Sequence, residues 1–502
     1  RVFSSSITSW TSRPKSTGWS QQRFMVTSNV PGAMTSFNGN MVIVGWGTIA
    51  KASLPLILRH TGISPKKITV VTADHTDKDI AVKHGLLHIA KPLDGRNSRE
   101  ILEPLLKPGD FLLNLSVDVS SVDLARIALD RGVAYMDTCV EPAANGYTEG
   151  TLDDRTNYML REQALALKKE YPKGSPTALF AHGINPGLIS SLLKQALVNI
   201  AIDTKLPHFS EPKTRKEWGE LMHKLGVRVV HIAERDTQVT KEPKKYREFV
   251  NTWSSDGFIS EGVFQPAELG WGTHEKELPE DAKQHATGSR AAIYLKRPGA
   301  GTRVRTWTPI EKSFNGFLVT HNESISIAEY FSVSSNDKVV FRPTVHYAYH
   351  PSDIAVLSVD ELLGNDSIKP DPRLIRVAMD EITSGHDELG ILVMGHPNVS
   401  YWYGSVVDVH SARSLAPYNN ATSLQVAAGV LAGVVHCIEN PKEGVIEAED
   451  VHYKRAIEVA KPYLGKLVGE YSDWTPIKNY SHLFPRPVDL NDPWQFKNFR
   501  VY

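Results

Sequence analysis

A chain of 502 residues with 56 basic and 56 acidic side chains carries no net charge. It therefore offers no global electrostatic footprint for nucleic acid or for an anionic membrane surface. Its two cysteines, Cys139 and Cys437, cannot build a disulfide framework and form no metal-type pair, which fits a reducing, cytoplasmic setting. The apolar run at residues 426–435 is too short to span a bilayer, and the GxxxG spacing of Gly429 and Gly433 reads as a tightly packed soluble helix.

The length allows two or three domains. Residues 1–39 stand apart: Arg1, Arg13, Lys15 and Arg23 lie among many Ser and Thr with no acid, the composition of a disordered or leader segment. The same composition resembles an organellar (mitochondrial) transit peptide. A tag, an upstream extension or a mis-set start, with Met34 just ahead of the fold, is the alternative.

Residues 41–44, Met-Val-Ile-Val, form the first predicted strand and run into Gly45-Trp46-Gly47-Thr48-Ile49-Ala50 and then a helix over 51–60. Each residue type here suits a pyrophosphate. Gly45 turns the chain off the strand, Gly47 lets the backbone approach the phosphates, and Ala50 lets the helix pack closely. The helix's free N–H groups, starting at Thr48 and Ile49, face the anion. A second strand over 67–72 ends near Asp74, whose carboxylate suits a ribose hydroxyl and repels a 2′-phosphate. No arginine neighbours it, so NAD is expected over NADP. Pro55 should kink or shorten the first helix.

A βα rhythm follows: strand 86–90, helix 98–106, strand 110–117, helix 122–130, strand 133–140, helix 153–169, strand 177–182 and a helix from Leu188. This predicts an α/β, Rossmann-type, doubly wound parallel sheet over residues 40–190. The turns at Asp118, Glu141 and Asn185 should face the cofactor, with Ser116 and Thr138 as further cofactor-side candidates at the ends of their strands.

From about residue 200 the rhythm breaks. Strand candidates at 227–232, 290–296, 302–307 and 316–321 carry Gly, Pro and aromatic interruptions. They point to a second, α+β substrate domain with a mixed or antiparallel sheet over 191–410. Residues 411–502 return to helices, notably 424–438, and end in a Pro- and Trp-rich wrapping tail.

Several acids sit in apolar or turn settings: Glu141, Glu234 at the end of the strand-like 229–233, Glu261, Glu323 and Asp387. A water-excluding pocket lined by carboxylates suits a cationic substrate, whereas each acid singly is an ordinary salt bridge or helix cap. Trp253, among small polar residues, can offer its face to an ammonium group or simply pack. His346 and His350 have an i,i+4 spacing that metals accept, but no HExxH context or neighbouring Cys supports a site, so no metal is expected.

Longer words go further: Asn114-Leu115-Ser116-Val117-Asp118, Val140-Glu141-Pro142, Asn185-Pro186-Gly187, His231-Ile232-Ala233-Glu234-Arg235-Asp236-Thr237-Gln238 and Val250-Asn251-Thr252-Trp253-Ser254. To these add Thr320-His321-Asn322-Glu323-Ser324, His346-Tyr347-Ala348-Tyr349, Asp387-Glu388-Leu389-Gly390 and Asp492-Pro493-Trp494-Gln495-Phe496. In these the chain closely resembles the bacterial homospermidine synthases, an NAD-dependent family related to saccharopine dehydrogenases, from about Asn40 to near the C-terminus.

The resemblance implies a homodimer that joins two putrescines, or spermidine and putrescine, into homospermidine, releasing ammonia or 1,3-diaminopropane with recycled NAD. It implies that Trp253 is an aromatic gate and that Glu234, Glu261 and Asp387 bind amines. Asn185, His321 and Glu323 would complete the pocket, with Asp118 and Glu141 near the nicotinamide. Two departures from the family pattern stand out: one extra residue in Gly262-Val263-Phe264-Gln265, and Ser384 where the family often has an acid. The competing readings are a saccharopine-dehydrogenase-like oxidoreductase with net NADH release and a non-catalytic NAD-binding regulatory protein.

Overall fold

The computed structural model describes residues 31–502; most of the predicted leader, residues 1–30, lies outside that range. The first sheet opens with β1 (Met41–Val44), followed by α1 (Thr48–Thr61), β2 (Ile68–Thr72), β3 (Leu87–Ala90) and β4 (Phe111–Asn114). Next come α2 (Ser121–Asp130), β5 (Ala134–Asp137), α3 (Asn157–Ala166), β6 (Ala178–Phe180) and α4 (Leu188–Asp203). Every residue of β1 and β4 is buried, as a parallel strand covered by helices on both faces must be.

The predicted βα alternation is present, with shorter strands. β4 stops at Asn114 rather than residue 117, because the Asn114 side chain accepts the Ser116 N–H at 3.1 Å and turns the backbone out of the ladder. β5 stops at Asp137, so Glu141 stands four residues beyond the strand rather than at its end. Pro55 neither ends nor shortens α1, which continues to Thr61 and closes on Gly62 in the left-handed conformation.

The second sheet is mixed. Its strands are β7 (Val229–Asp236), β8 (Pro266–Gly270), β9 (Ala282–Gln284), β10 (Ala292–Pro298), β11 (Arg303–Thr308) and β12 (Lys312–Phe317). They are joined by β13 (Thr344–His350), β14 (His386–Met394) and β15 (Ser400–Asp408). Between β7 and β8 lies the short helix α5 (Ser255–Ile259), and between β12 and β13 lies α6 (Asn322–Tyr330). β7 sits at the centre, parallel to β13 and antiparallel to β14.

Two boundaries here differ from expectation. β7 continues past residue 233 to Asp236, which carries Glu234 inside the sheet. The strand predicted over 316–321 lies earlier, at β12, and His321 instead stands at the N-terminus of α6. His346 and His350 lie on strand β13, where four residues span about 13 Å, so their spacing does not put both on one metal.

The end of the chain serves both sheets. Helix α7 (Ala421–Glu439) packs on α1; β16 (Val445–Glu447) then joins the first sheet beside β6, and β17 (Lys466–Ser472) joins the second beside β15. Among the described residues the first sheet thus reads β16-β6-β5-β4-β1-β2-β3 and is parallel throughout. Helix α7, at 19 residues, exceeds the run read from the sequence and is by length and composition apolar enough to cross a membrane. Here it is a core helix, buried almost along its whole length.

Its two glycines permit that burial. A Cβ on Gly429 would stand 2.1 Å from the Gly183 carbonyl oxygen, and one on Gly433 would stand 2.6 Å from the Met136 methyl. Gly429→Ala is therefore expected to destabilise the fold by about 1–3 kcal/mol, because the obstructing atoms are backbone and cannot swing away. Chemical denaturation of the two proteins side by side checks this.

Candidate active site

Loops from the C-terminal ends of β1, β4, β5 and β6 meet along one edge of the first sheet, where ligands of such sheets bind. Gly45 has φ +90°, and a Cβ there would stand 2.7 Å from the Leu115 carbonyl oxygen, so the β1 turn and the β4 loop cross at van der Waals distance. At Gly47 a Cβ would meet nothing within 4 Å. The space above Gly47 is open, no side chain caps α1, and its first turn, beginning Thr48-Ile49-Ala50, carries no acid. That is a cradle for a pyrophosphate. Beside it the Lys51 ammonium pairs with Asp77, and the Trp46 indole N–H donates to the Asp77 carbonyl at 3.0 Å.

Asp74 is exposed two residues past β2, and its carboxylate accepts the Thr76 N–H at 2.7 Å, which holds its pKa below the usual value. Ser116 donates from its hydroxyl to Asn114 Oδ1 at 2.6 Å, and Thr138 lies half-buried just after β5. Asp118 has φ +59° and an exposed side chain, but its N–H donates to Glu141 Oε2 at 3.3 Å. Glu141 is buried, and its other oxygen accepts the Cys139 thiol at 3.2 Å. Burial pushes its carboxyl up to about 8, with nearby Glu261 and Asp118 adding to the rise against those two hydrogen bonds.

Glu261 lies in a single π-helical turn, Ser260–Phe264, continuing from α5. Residues 262–264, part of the stretch expected to be one residue longer than the family pattern, lie in this turn, and a widened turn is one way a helix absorbs an extra residue. Glu261 Oε2 meets His321 Nε2 at 3.1 Å, and the other nitrogen of the ring meets Glu323 Oε1 at 3.0 Å. Burial alone would push His321 down, but the Glu323 and Glu261 carboxylates outweigh it and hold the imidazole charged, at about 10. The second oxygen of Glu323 is buried without a hydrogen-bond partner.

The His321 ring lies 4.3 Å from that of Tyr347, whose hydroxyl donates to Glu234 Oε2. Asn185 Nδ2 donates to the same oxygen at 2.9 Å, from the loop after β6. Asp387, fully buried on β14, accepts the Thr422 hydroxyl at 2.6 Å on one oxygen and has no partner on the other. Burial raises Glu234 to about 7; burial and then the charges of Glu234 and Asp236 raise Asp387 well above the carboxylate range. Trp253 is half-buried and donates its indole N–H to the Tyr349 hydroxyl at 3.0 Å.

Glu141, Glu261, His321, Glu323, Tyr347, Glu234 and Asp387 thus link into one polar cluster, the wall of a candidate chamber, reaching from the cofactor edge into the second sheet, with Asn185 at the seam. Asp74 and Asp118 remain at the first sheet's rim. None of Glu141, Glu234, Glu261, Glu323 or Asp387 pairs with a lysine or arginine among the described residues; the cation in contact with Glu261 and Glu323 is His321. Clefts of about 450 and 690 Å³ along the C-terminal tail contain none of these groups.

Sequence reasoning passed over Asp236, Tyr347, Tyr349, Thr252 and Thr422 as site residues. Strand alternation could have found the first three: Asp236 stands two residues after Glu234 on β7, and Tyr347 and Tyr349 share one face of β13. Thr422 has no such signal, since it arrives from the distant start of α7.

Comparison with known proteins agrees along nearly the whole chain. Residues 41–179 match the family profile of the saccharopine dehydrogenase NADP binding domain, and residues 183–473 that of the saccharopine dehydrogenase C-terminal domain. The homospermidine synthase of Mesorhizobium japonicum is 49% identical, covering 92% of this chain and 96% of its own. That of Blastochloris viridis is 47% identical, covering 92% and 98%. The crystal structure of the Legionella pneumophila homospermidine synthase in complex with NAD superposes with a TM-score of 0.87 at 44% identity, over 93% of this chain and 98% of that one.

Gly47→Val is expected to cost only about 1 kcal/mol of stability, the loss of a favourable N-cap residue with no steric clash at its Cβ, and to weaken dinucleotide binding tenfold or more. A thermal melt and a calorimetric titration with NAD, run on the same preparation, check both halves.

Proposed function

The chain belongs to the homospermidine synthase family, and on that footing we propose that it condenses two putrescines, or spermidine with putrescine, into homospermidine, releasing ammonia or 1,3-diaminopropane. The observation that carries the substrate class is the chamber's charge. Buried carboxylates are stable only when paired, hydrogen-bonded or protonated. Here two of their oxygens, on Asp387 and Glu323, have no hydrogen-bond partner at all. A diammonium chain supplies the missing donors at both ends.

NAD fits the cradle over Gly47, and the exposed carboxylate of Asp74 with no arginine beside it supports NAD over NADP, although the matched domain family is one of NADP binding. The chemistry it supplies when bound is reversible hydride acceptance, which lets an amine carbon be oxidised to an imine and a new imine be reduced, with no net redox change.

This chain's residues supply the rest. An ammonium cannot yield hydride until it loses a proton, and Glu261 and Glu323, at the cofactor end, are the groups available to take it. Glu141, raised to about 8, is protonated at neutral pH and suited to handing a proton to departing ammonia. His321 keeps Glu261 and Glu323 aimed by binding each through one ring nitrogen. Asn185 and Tyr347 orient Glu234 from one side, and Thr422 orients Asp387 from the other, so the far ammonium finds fixed acceptors. Trp253, tethered to Tyr349, can present its ring to an entering cation. The buried setting keeps water from hydrolysing the imine before the second amine adds.

A homodimer and a cytoplasmic location belong to the same proposal; the bacterial origin of both relatives supports the latter.

Incubation with putrescine and catalytic NAD is expected to yield homospermidine by mass spectrometry without accumulating NADH. NADH building up without the triamine would sink this reading in favour of a dehydrogenase. Neither signal, with NAD still bound, would favour a non-catalytic role. In the same assay Glu261→Gln should abolish product while NAD stays bound, and retained turnover would count against the assignment of Glu261. Trp253→Leu should raise the putrescine KM by about tenfold, the scale of a desolvated cation–π contact, and leave NAD affinity unchanged. Equal loss of both would remove the gate from the mechanism.

A further inference from the structure

Asp236 is fully buried on β7, and its register partner on β14 is Asp387. Both its oxygens are taken by neutral donors. Oδ1 accepts the Gln238 N–H at 2.8 Å and the Gln238 side-chain amide at 3.1 Å; Oδ2 accepts the Thr252 hydroxyl at 2.6 Å. No ion pair with a lysine, arginine or histidine reaches it among the described residues, so burial, which raises its carboxyl above the usual range, is opposed chiefly by the Thr252 and Gln238 hydrogen bonds.

Two threads run from this carboxylate into the chamber. The Gln238 amide that bonds Asp236 also donates to the Thr422 hydroxyl at 3.1 Å, and Thr422 donates in turn to Asp387. A second contact fixes the same crossing, since the Ala421 N–H donates to Gln238 Oε1 at 2.9 Å. The other thread runs through Thr252, which immediately precedes Trp253. The Thr252 carbonyl is gripped by Asn420 Nδ2 at 2.6 Å, so this residue is tied on both its side chain and its backbone.

Resting on the synthase reading, we propose that Asp236 is a specificity-determining positioning residue. It does not touch the amine; it acts as a fixed anion behind Asp387 that makes this end of the chamber demand an ammonium group, and as the anchor that sets Trp253 at the entrance.

The titratable and charged groups facing Asp387 are Glu234 and Asp236 on β7, Tyr347 and Tyr349 on β13, and Glu388 beside it on β14. Arg235 is the cation that acts on Asp236 itself, lowering it against the rise that burial causes. Removing the Asp236 charge takes away one repulsion, so Asp387 would ionise at lower pH.

Asp236→Asn, close to isosteric, is expected to raise the putrescine KM about tenfold with NAD affinity held within about twofold, and to narrow the preference for putrescine over n-butylamine. The acid limb of kcat/KM for putrescine should move to lower pH. Thr252→Val keeps the carboxylate but removes the hydroxyl that tethers Trp253 and helps hold Asp236 ionised: the KM should rise and the tryptophan fluorescence change, while the acid limb moves less than in Asp236→Asn. An Asp236→Asn enzyme with an unmoved acid limb, or an unchanged KM in both variants, would overturn the proposal. If Asp236→Asn fails to fold, a Thr252→Val enzyme with unchanged KM and fluorescence does the same. Calorimetric binding of putrescine to each variant separates this from the parent reading. A wild-type protein that makes no homospermidine sinks the synthase, whereas a Kd for putrescine indifferent to Asp236→Asn sinks only this inference.

Discussion

A carboxylate taken out of water without a cation beside it must be held by neutral donors, be protonated, or find its partner in a ligand. The chamber uses all three options. Asp236 is saturated by an amide, a backbone N–H and a hydroxyl; Glu141 and Glu234 titrate near neutrality; Asp387 and Glu323 each retain an oxygen with nothing bonded to it. Replacing any of these acids with a pre-formed lysine or arginine pair would quiet the electrostatics and leave a diamine no reason to enter. The unmet hydrogen bonding is what the surrounding scaffold exists to maintain.

That scaffold is assembled from both sheets. The first contributes the loops after β5 and β6, with Glu141 and Asn185; the second contributes the β7–β13–β14 ladder, whose pleat puts Glu234, Asp236 and Tyr347 on the chamber face. Helix α7 locks the two together. Its N-terminus reaches Asp387 through Thr422 and the Trp253 loop through Asn420, while Asn419 just before it donates to the Ala52 carbonyl in α1 at 3.1 Å. Further along, Gly429 lies directly on the Gly183 backbone, two residues before Asn185. One rigid rod therefore touches the cofactor helix, the Asn185 loop and the amine pocket.

The first sheet is legible in sequence because its signals are local: buried β-branched runs, helical spacing between them, and a glycine-marked turn from strand to helix. The Gly45–Gly47 turn and the NAD preference follow from such signals. Individual acids could be flagged the same way, since a glutamate inside an apolar strand is out of place. Their convergence could not, because it depends on β7 lying between strands drawn from more than a hundred residues downstream. Resemblance supplied that convergence, residue by residue. Asp236 fell through both nets: it reads as the polar end of a strand, and only the completed β7–β14 register shows it facing Asp387. Strand ends were misjudged where a side chain captured the backbone, as Asn114 does, and Pro55 was given more weight than a well-packed helix concedes.

The placement of β16 also bears on how the protein is made. This strand, with α7 before it, completes the first sheet beside β6, yet it is encoded far beyond the whole second sheet's centre. During synthesis the nascent cofactor-binding half stands with β6 as an open, hydrogen-bond-hungry edge and with the α1 surface uncovered, until nearly the full polypeptide has left the ribosome. Completion of this half therefore waits for residues 421–447, and an open strand edge of this kind is what chaperones shield.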